Sequence, residues 1–213
     1  MSAISVNSWT AAPGKMAEGQ ALIKDALQIM AGYGAKTTLA ITVRGGVQGT
    51  LTTMTEYADA AAYGASIDKS ATDPDWQKFM VRAQRSQALT PVRSADYVEI
   101  PGIEVPHSEI ASHTAIRATL FTIRDGMHAK SLDRIRRSKT ITERHGAKVR
   151  ALQAVASEPF GLFAVVVYNR NFTEAGKSQA ALAADPEWQA YIAEILGKDA
   201  SADFLRTTLL RVI

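Results

Sequence analysis

The sequence contains no cysteine and no long apolar run, and each absence excludes a class of protein. Without cysteine there is no disulfide, no thiolate metal site and no cysteine nucleophile. The apolar residues are dispersed, whereas a membrane-spanning helix needs about twenty of them in succession. The N-terminal segment also lacks the basic region followed by an apolar core that marks a secretory signal. We therefore expect a cytoplasmic protein without a membrane partner.

The net charge is only +3 over 213 residues, but one stretch is strongly basic. Residues 124–150 contain nine Lys and Arg against three Asp and Glu. A run of this kind is usually the solvated face of a helix, and a nucleic-acid surface is the second interpretation. We predict the first, so a nucleic-acid partner is not expected.

The chain repeats itself at an offset of 112 positions. From Ala3 to Gln77 the sequence aligns with its own continuation without a gap, with 19 identities in 75 positions. The identities fall on turn glycines and on a late motif, in which Asp73-Pro74-Asp75-Trp76-Gln77 recurs as Asp185-Pro186-Glu187-Trp188-Gln189. A period of this length is that of a small domain rather than of a solenoid unit.

One copy predicts the structure of both. Alternating apolar residues indicate strands, helical spacing indicates helices, and Gly34 ends the first helix. Asp73 followed by Pro74 is typical of a helix start. The first copy is predicted as strand 2–10, helix 15–33, strands 36–44 and 50–57, helices 58–70 and from 74, and strand 92–100. The second is predicted as strand 114–123, helix 126–145, strands 149–156 and 162–169, helices 171–184 and 186–196, and strand 204–213.

The order strand–helix–strand–strand–helix–strand is that of the ferredoxin-like fold. We therefore predict an α+β protein with two tandem ferredoxin-like domains, residues 1–100 and 114–213. Residues 101–113, with two prolines and a glycine, are expected to form a linker that lies extended across the surface. Helices cover one face of each sheet, so the other faces should pack sheet to sheet. Such an internal pseudo-dimer is compatible with a further homo-oligomer but does not require one.

The repeated βαββαβ copy, with its Asp-Pro-[Asp/Glu]-Trp-Gln segment after an alanine-rich helix, resembles the dimeric α/β-barrel superfamily. The stretch SQAALAADPEWQAYI is most similar to the NIPSNAP-like branch. The superfamily includes cofactor-independent monooxygenases, haem-degrading enzymes, isomerases and stress proteins. The resemblance implies a small-molecule-binding protein or a cofactor-independent enzyme, monooxygenase-like or isomerase-like. A non-catalytic stress or interaction protein of the same fold is the alternative.

The resemblance also implies a ligand cleft between the sheet and the helices of each copy, lined by the first strand, the central hairpin and the following helices. In the first copy the matching positions are Asn7, Trp9, Tyr57, Trp76, Phe79 and Arg82. In the second copy they are Phe121, His128, Tyr168, Asn169, Trp188 and Tyr191. Asn7 corresponds to Thr119, and Tyr57 corresponds to Asn169. Any one set of polar site residues can therefore be present in one copy at most.

No cofactor or metal is expected. Haem-degrading members of the superfamily use an asparagine, a tryptophan and a later histidine, and here Asn7 and Trp76 have no such histidine after them. The four histidines do not have a metal-ligand spacing. Trp76 and Trp188 are each predicted to be core anchors rather than stacking platforms, because both stand on an amphipathic turn.

The two first helices differ. The helix of the first copy has an apolar face, whereas that of the second is markedly polar, with Ser138, Thr142 and His145 spaced to share one face. If this face is turned toward the sheet, the second copy has a polar pocket. We predict the opposite orientation, with a solvated face.

Overall fold

The computed structural model of the protein describes residues 1–157 and 159–213. The strands are β1 (Ala3–Ala11), β2 (Lys36–Arg44), β3 (Leu51–Tyr57), β4 (Leu89–Glu99), β5 (Ala115–Ile123), β6 (Lys148–Ala156), β7 (Leu162–Asn169) and β8 (Ala202–Val212). The helices are α1 (Met16–Gly32), α2 (Ala60–Thr72), α3 (Pro74–Ser86), α4 (His107–Ile110), α5 (His128–Arg144), α6 (Phe172–Ala184) and α7 (Pro186–Leu196). Among these helices none combines the length and apolar character that a membrane crossing requires.

The eight strands form one closed antiparallel barrel in the order β1-β3-β2-β8-β5-β7-β6-β4. Each repeat contributes four adjacent strands, which confirms the tandem ferredoxin-like prediction. The two sheets also hydrogen-bond to each other along both edges, β2 to β8 and β4 to β6. Closure leaves no unpaired sheet edge, so the barrel offers no template for strand addition by another chain.

The strands alternate between the lumen of the barrel and the helices outside it. Ile4 and Ile116, at equivalent positions of the two repeats, belong to one core cluster inside the barrel. Trp9 and Phe121 point the other way and pack in clusters with α1 and α5 residues. The period-two pattern read from the sequence therefore corresponds to a barrel with an inner and an outer apolar layer.

The repeated Asp-Pro motif starts a helix in both repeats, as predicted. Asp73 accepts a hydrogen bond from the backbone N–H of Asp75 at 2.8 Å, and Asp185 does the same for Glu187. Each aspartate also ties its helix to the C-terminal end of the first helix of its repeat, α1 or α5. The Tyr33 hydroxyl donates to Asp73 at 2.8 Å, and a His145 ring nitrogen lies 2.9 Å from Asp185.

The linker does not lie extended across the surface, which corrects that prediction. Residues 101–113 contain the short helix α4, and Ile103, Val105 and Ile110 are buried. Val105 and Ile110 belong to the core cluster inside the barrel. The segment therefore closes one end of the barrel with apolar side chains, and its prolines and glycine serve to turn the chain into that end.

A buried network of charged side chains lies beside the linker and joins the two repeats. Arg150 of β6 is 3% exposed in its side chain, and its Nη2 lies 3.0 Å from Glu56 of β3. Its Nε lies 3.0 Å from Glu99 of β4 in an ionic contact that is too poorly aligned to be a hydrogen bond. Arg150 also donates to the carbonyl of Val105 at 2.8 Å. One guanidinium thus holds two strands of the first repeat and the linker.

Candidate functional site

The space between helices and sheet is filled by side chains in the first repeat. Tyr57 is 1% exposed, and its hydroxyl accepts a hydrogen bond from Ser66 at 2.9 Å. Trp76 packs against Phe79 with ring centroids 5.2 Å apart, in a cluster that includes Leu22 of α1. These are the contacts of a core, so Trp76 is the anchor that the sequence predicted.

The remaining first-repeat candidates do not converge on a cavity. Asn7 accepts a hydrogen bond from Ser94 at 2.6 Å on the neighbouring strand. Trp9 packs in the apolar cluster beneath α1. Arg82 lies on the outer surface of α3, where it forms a 2.6 Å ion pair with Asp25.

The second repeat differs because the polar face of α5 is turned inward. Ser138 and Thr142 are buried, and so are Ser131 and Arg134 on the same helix. The prediction of a solvated face is therefore wrong. The alternative interpretation, a polar pocket between α5 and the sheet, matches the structure.

A cavity of 270 Å³ lies under this face, between β5 and the helices α5 and α7. Aromatic and aliphatic side chains form most of its wall, and hydroxyl groups and two arginines line the rest. Its lining includes Phe121, Ile135, Ser138, Trp188, Tyr191 and Phe204. Trp188 and Tyr191 stack with centroids 5.2 Å apart and form one side. The site thus has the mainly apolar wall with a few polar groups that small-molecule pockets share.

Arg117 of β5 is the cationic group of this cavity. Its Nη1 donates to Gln179 at 2.9 Å, and among the described residues no carboxylate lies within ion-pair distance of it. Burial lowers the pKa of the Arg117 guanidinium. The side chain also lines an adjacent cavity of 280 Å³ below α6, where Asn169 and Thr142 lie. The Arg117 guanidinium therefore lines both cavities, which together form the cleft of the second repeat.

Arg134, the second arginine of the cavity wall, is already neutralised. Its Nε donates to Glu194 at 2.9 Å, and its Nη1 donates to the carbonyl of Asp199 at 2.9 Å. These bonds hold the segment after α7 against α5. Burial raises the pKa of Tyr191, so this phenol stays protonated at neutral pH. The cavity consequently presents one uncompensated positive charge and neutral hydrogen-bonding groups.

The second-repeat candidates separate into three places. Trp188 lines the 270 Å³ cavity, and Asn169 lines the adjacent one. Tyr168 points into the lumen of the barrel and is 3% exposed. His128 stands at the start of α5, exposed, with its ring 6.0 Å from Phe163. The structure thus brings Trp188 and Asn169 to one cleft and leaves Tyr168 and His128 outside it.

Sequence reasoning did not single out Arg117 or Arg134. The signal was present in the comparison of the repeats: at the offset of 112, Arg117 corresponds to Ser5 and Arg134 to Leu22. A charged residue at the position of a buried small or apolar residue indicates an environment that has changed. Aromatic residues at matched positions do not reveal these exchanges, because none of the four residues is aromatic.

The basic stretch 124–150 is balanced by carboxylates, some within the stretch and most from elsewhere in the fold. Eight of its nine basic residues form ion pairs, the exception among the described pairs being Lys130. Arg124 pairs with Asp203 at 2.6 Å, and Lys148 pairs with Glu109 at 2.6 Å. The surplus of charge in the sequence therefore does not become a continuous basic surface, and an anionic-polymer site has no support.

The described residues contain no group of three or more His, Asp or Glu side chains placed to hold a metal ion. The described residues that line the 270 Å³ cavity include no histidine, methionine or cysteine. These are the side chains that most often ligate haem iron, so the cavity offers no such ligand.

Comparison with known proteins shows what the first repeat is similar to. Residues 5–99, the first repeat, match the NIPSNAP family model. The whole chain has the dimeric α/β-barrel fold, which confirms the resemblance drawn from the Asp-Pro-[Asp/Glu]-Trp-Gln motif. No curated protein gives a significant sequence match to the chain.

Several solved structures share the complete fold, with both the first and the second repeat covered. A proposed monooxygenase from Fusobacterium nucleatum superposes with a TM-score of 0.67 at 14% identity, over 99% of this chain and 92% of that one. An anthrone oxidase-like protein gives 0.63 at 12% identity, over 100% and 91%. A variant of chlorite dismutase from Candidatus Nitrospira defluvii gives 0.55 at 9% identity, over 100% and 91%. At these identities the likeness concerns the fold alone.

Proposed function

We propose that the second repeat binds a small organic anion with an aromatic body in the cleft between α5, α7 and the sheet. The observation that carries this proposal is the guanidinium of Arg117, which lies in a mainly apolar cavity and has no carboxylate partner among the described residues. Desolvating a charge is costly unless it is paired. A ligand carboxylate or phenolate would supply the missing partner.

Arginine suits this role because its planar guanidinium can donate two parallel hydrogen bonds to one carboxylate. Gln179 occupies Nη1, which leaves other N–H groups of Arg117 for a ligand. The aromatic rings of Trp188 and Tyr191 would pack against the body of the ligand, since offset stacking between rings is favourable. Ser138 and Thr119 add hydroxyl groups to the wall.

The proposal can be tested by titrating the protein with 2-naphthoate and following the heat of binding by calorimetry. We expect saturable binding to the wild type and a loss of roughly 10- to 100-fold in affinity for Arg117→Ala, because hydrogen bonds to a charged group contribute about 1.5–3 kcal/mol. The neutral analogue 2-naphthalenemethanol should bind both proteins equally. Arg82→Ala, which removes an exposed arginine paired with Asp25 in the first repeat, is the matched control.

Equal affinity of the wild type and Arg117→Ala for 2-naphthoate would refute the role of the guanidinium. No binding of 2-naphthoate or of its neutral analogue by the wild type would refute the cleft as a ligand site. The second result would favour the non-catalytic interaction protein as the remaining interpretation.

A reaction of the bound anion with dioxygen is the second candidate function. It is favoured by the combination of an aromatic wall and a cation, which would bind an electron-rich phenolate or enolate in its ionised form. The described lining residues include no carboxylate or imidazole that could remove a proton from carbon, so the ligand would have to arrive ionised. Oxygen uptake in the presence of a phenolic anion such as 2-naphtholate would support it, and uptake equal to that of the buffer alone would exclude it for that anion.

A further inference from the structure

A second and larger cavity lies inside the barrel, at the end opposite the linker. It has a volume of 710 Å³ and is separated from the helix–sheet cleft by the strands themselves, because its lining side chains are those that point inward. Val47, Val92 and Leu205 stand at its rim with about half or more of their surface exposed. The linker closes one end of the lumen, and this end opens to solvent.

The volume falls within the range of roughly 300–1,000 Å³ that small-molecule pockets occupy. Part of the inner wall is apolar, with Val6 of β1, Leu120 of β5 and Leu162 of β7 contributing aliphatic side chains. Small side chains at Ala95 and Ala118 keep the middle of the lumen open. A ligand that enters the lumen would therefore place an apolar body against aliphatic groups of both repeats.

Two arginines project from the wall of this cavity near its open end. Arg93 stands on β4 and Arg206 on β8, so each repeat supplies one. The Nε of Arg93 is buried and has no hydrogen-bond partner among the described residues. Neither arginine has a carboxylate within ion-pair distance in the described part of the chain. A buried donor of a charged group that lacks a partner costs free energy, which a bound anion would recover.

A phenol lies in the same space. Burial raises the pKa of Tyr97, and the positive charges of Arg93 and Arg206 act in the opposite direction on it. Both guanidiniums therefore lie close enough to the Tyr97 hydroxyl to influence it. The hydroxyls of Ser8 and Thr52, 3.0 Å apart, line the wall on the β1–β3 side. The two guanidiniums and the neutral hydroxyl groups thus face the same cavity inside the barrel.

We propose that the lumen of the barrel is a second binding site, for an aliphatic carboxylate whose head group is held by Arg93 and Arg206 and whose chain lies among the aliphatic residues below. An aliphatic body is favoured because Val6, Leu120 and Leu162 line the lumen, in contrast to the aromatic wall of the cleft. The site exists only because the two repeats are joined, since each supplies one arginine.

The proposal is tested by calorimetric titration of the full chain with decanoate. We expect saturable binding, a loss of roughly tenfold or more for Arg93→Ala and for Arg206→Ala, and partial recovery in Arg93→Lys. The exposed Arg85 of α3 provides the matched control, so Arg85→Ala removes the same charge and should bind as the wild type does. Arg117→Ala, in the cleft, should also bind decanoate normally, which separates this site from the one proposed above.

Ala118→Phe is a further variant, because it fills the middle of the lumen and leaves both arginines in place. It should fold, as judged by circular dichroism, and fail to bind decanoate. Decanoate binding that is unchanged in Arg93→Ala, Arg206→Ala and Ala118→Phe would overturn the proposal. Binding that is lost only in Arg117→Ala would also overturn it and assign aliphatic anions to the cleft. No binding by the wild type would leave the lumen without a carboxylate site.

Discussion

Replacing Arg150 by alanine is expected to lower the free energy of unfolding by about 3–5 kcal/mol, the cost of breaking a buried ion pair by removing one partner. The side chain is 3% exposed and lies 3.0 Å from Glu56 and from Glu99. Its loss would leave two carboxylates with little access to water. It would also remove the hydrogen bond that Arg150 donates to the carbonyl of Val105 in the linker.

The expected loss can be measured by urea unfolding, or as a decrease in Tm of roughly 6–20 °C, since 1 kcal/mol corresponds to about 2–4 °C in a chain of this size. Arg136→Ala is the control, because Arg136 forms an exposed ion pair with Asp133 on one helix turn. Such pairs contribute about 0–1 kcal/mol. A loss for Arg150→Ala no greater than that of Arg136→Ala would contradict the role of the network.

The cause of the loss can be separated from simple loss of packing. If the two carboxylates that lose their cationic partner are responsible, adding Glu56→Gln and Glu99→Gln to Arg150→Ala should restore part of the stability. A neutral amide is less costly to bury than a charge. If the triple variant is less stable than Arg150→Ala alone, the carboxylates do not cause the loss. The network would then act through hydrogen bonds and packing.

The elements of this fold were predictable because their signals are local. Strand β2 and strand β7 have the predicted bounds, and the Asp-Pro motif starts α3 and α7 as expected. Turn and cap residues act over a few positions, so a single sequence contains the information for them. The repeat doubled that information by showing each signal twice.

Closure of the barrel was not predictable in the same way. The seam between β2 and β8 pairs Ala40 with Val212, and the seam between β4 and β6 pairs Val98 with Gln153. Such pairs are separated by a long stretch of chain, and nothing in a local pattern specifies which edges meet. The prediction for the linker is wrong for a related reason. The prolines and the glycine of residues 101–113 indicate an extended surface segment, whereas the barrel end buries Val105 and the other apolar residues of the linker.

The cavity of the second repeat lies between sheet and helices, where the resemblance implies a ligand cleft, and its role as the functional site stays a prediction. The cleft of the second repeat contains Trp188 and Asn169, which the resemblance indicated. The predicted orientation of α5 is wrong because polarity alone does not decide which helix face is solvated: Ser138 and Thr142 are polar and yet buried. They are buried because β5 and α7 leave space that small polar side chains occupy without filling it. The same space in the first repeat is filled by Leu22 and Phe79.

The β2–β8 seam depends on glycine at position 45, and Gly45→Ala is expected to lower the free energy of unfolding by about 2–5 kcal/mol. Gly45 has φ +78°, and a Cβ there would lie 1.9 Å from the backbone oxygen of Thr207. The left-handed conformation costs a residue with a side chain about 1–2 kcal/mol. The close approach adds about 1–3 kcal/mol, because β8 must move to relieve it.

Gly14→Ala separates these two contributions. Gly14 has φ +75°, nearly that of Gly45, but nothing lies within 4 Å of a Cβ built there. It should therefore show the conformational cost alone, and Gly45→Ala should be less stable than Gly14→Ala by about 1 kcal/mol or more. Hydrogen exchange would show where the difference arises: the amides that pair β2 with β8 should lose protection in Gly45→Ala only. Equal losses of stability in the two variants, with unchanged protection at the seam, would mean that the close approach of Gly45 to Thr207 does not hold the two repeats together.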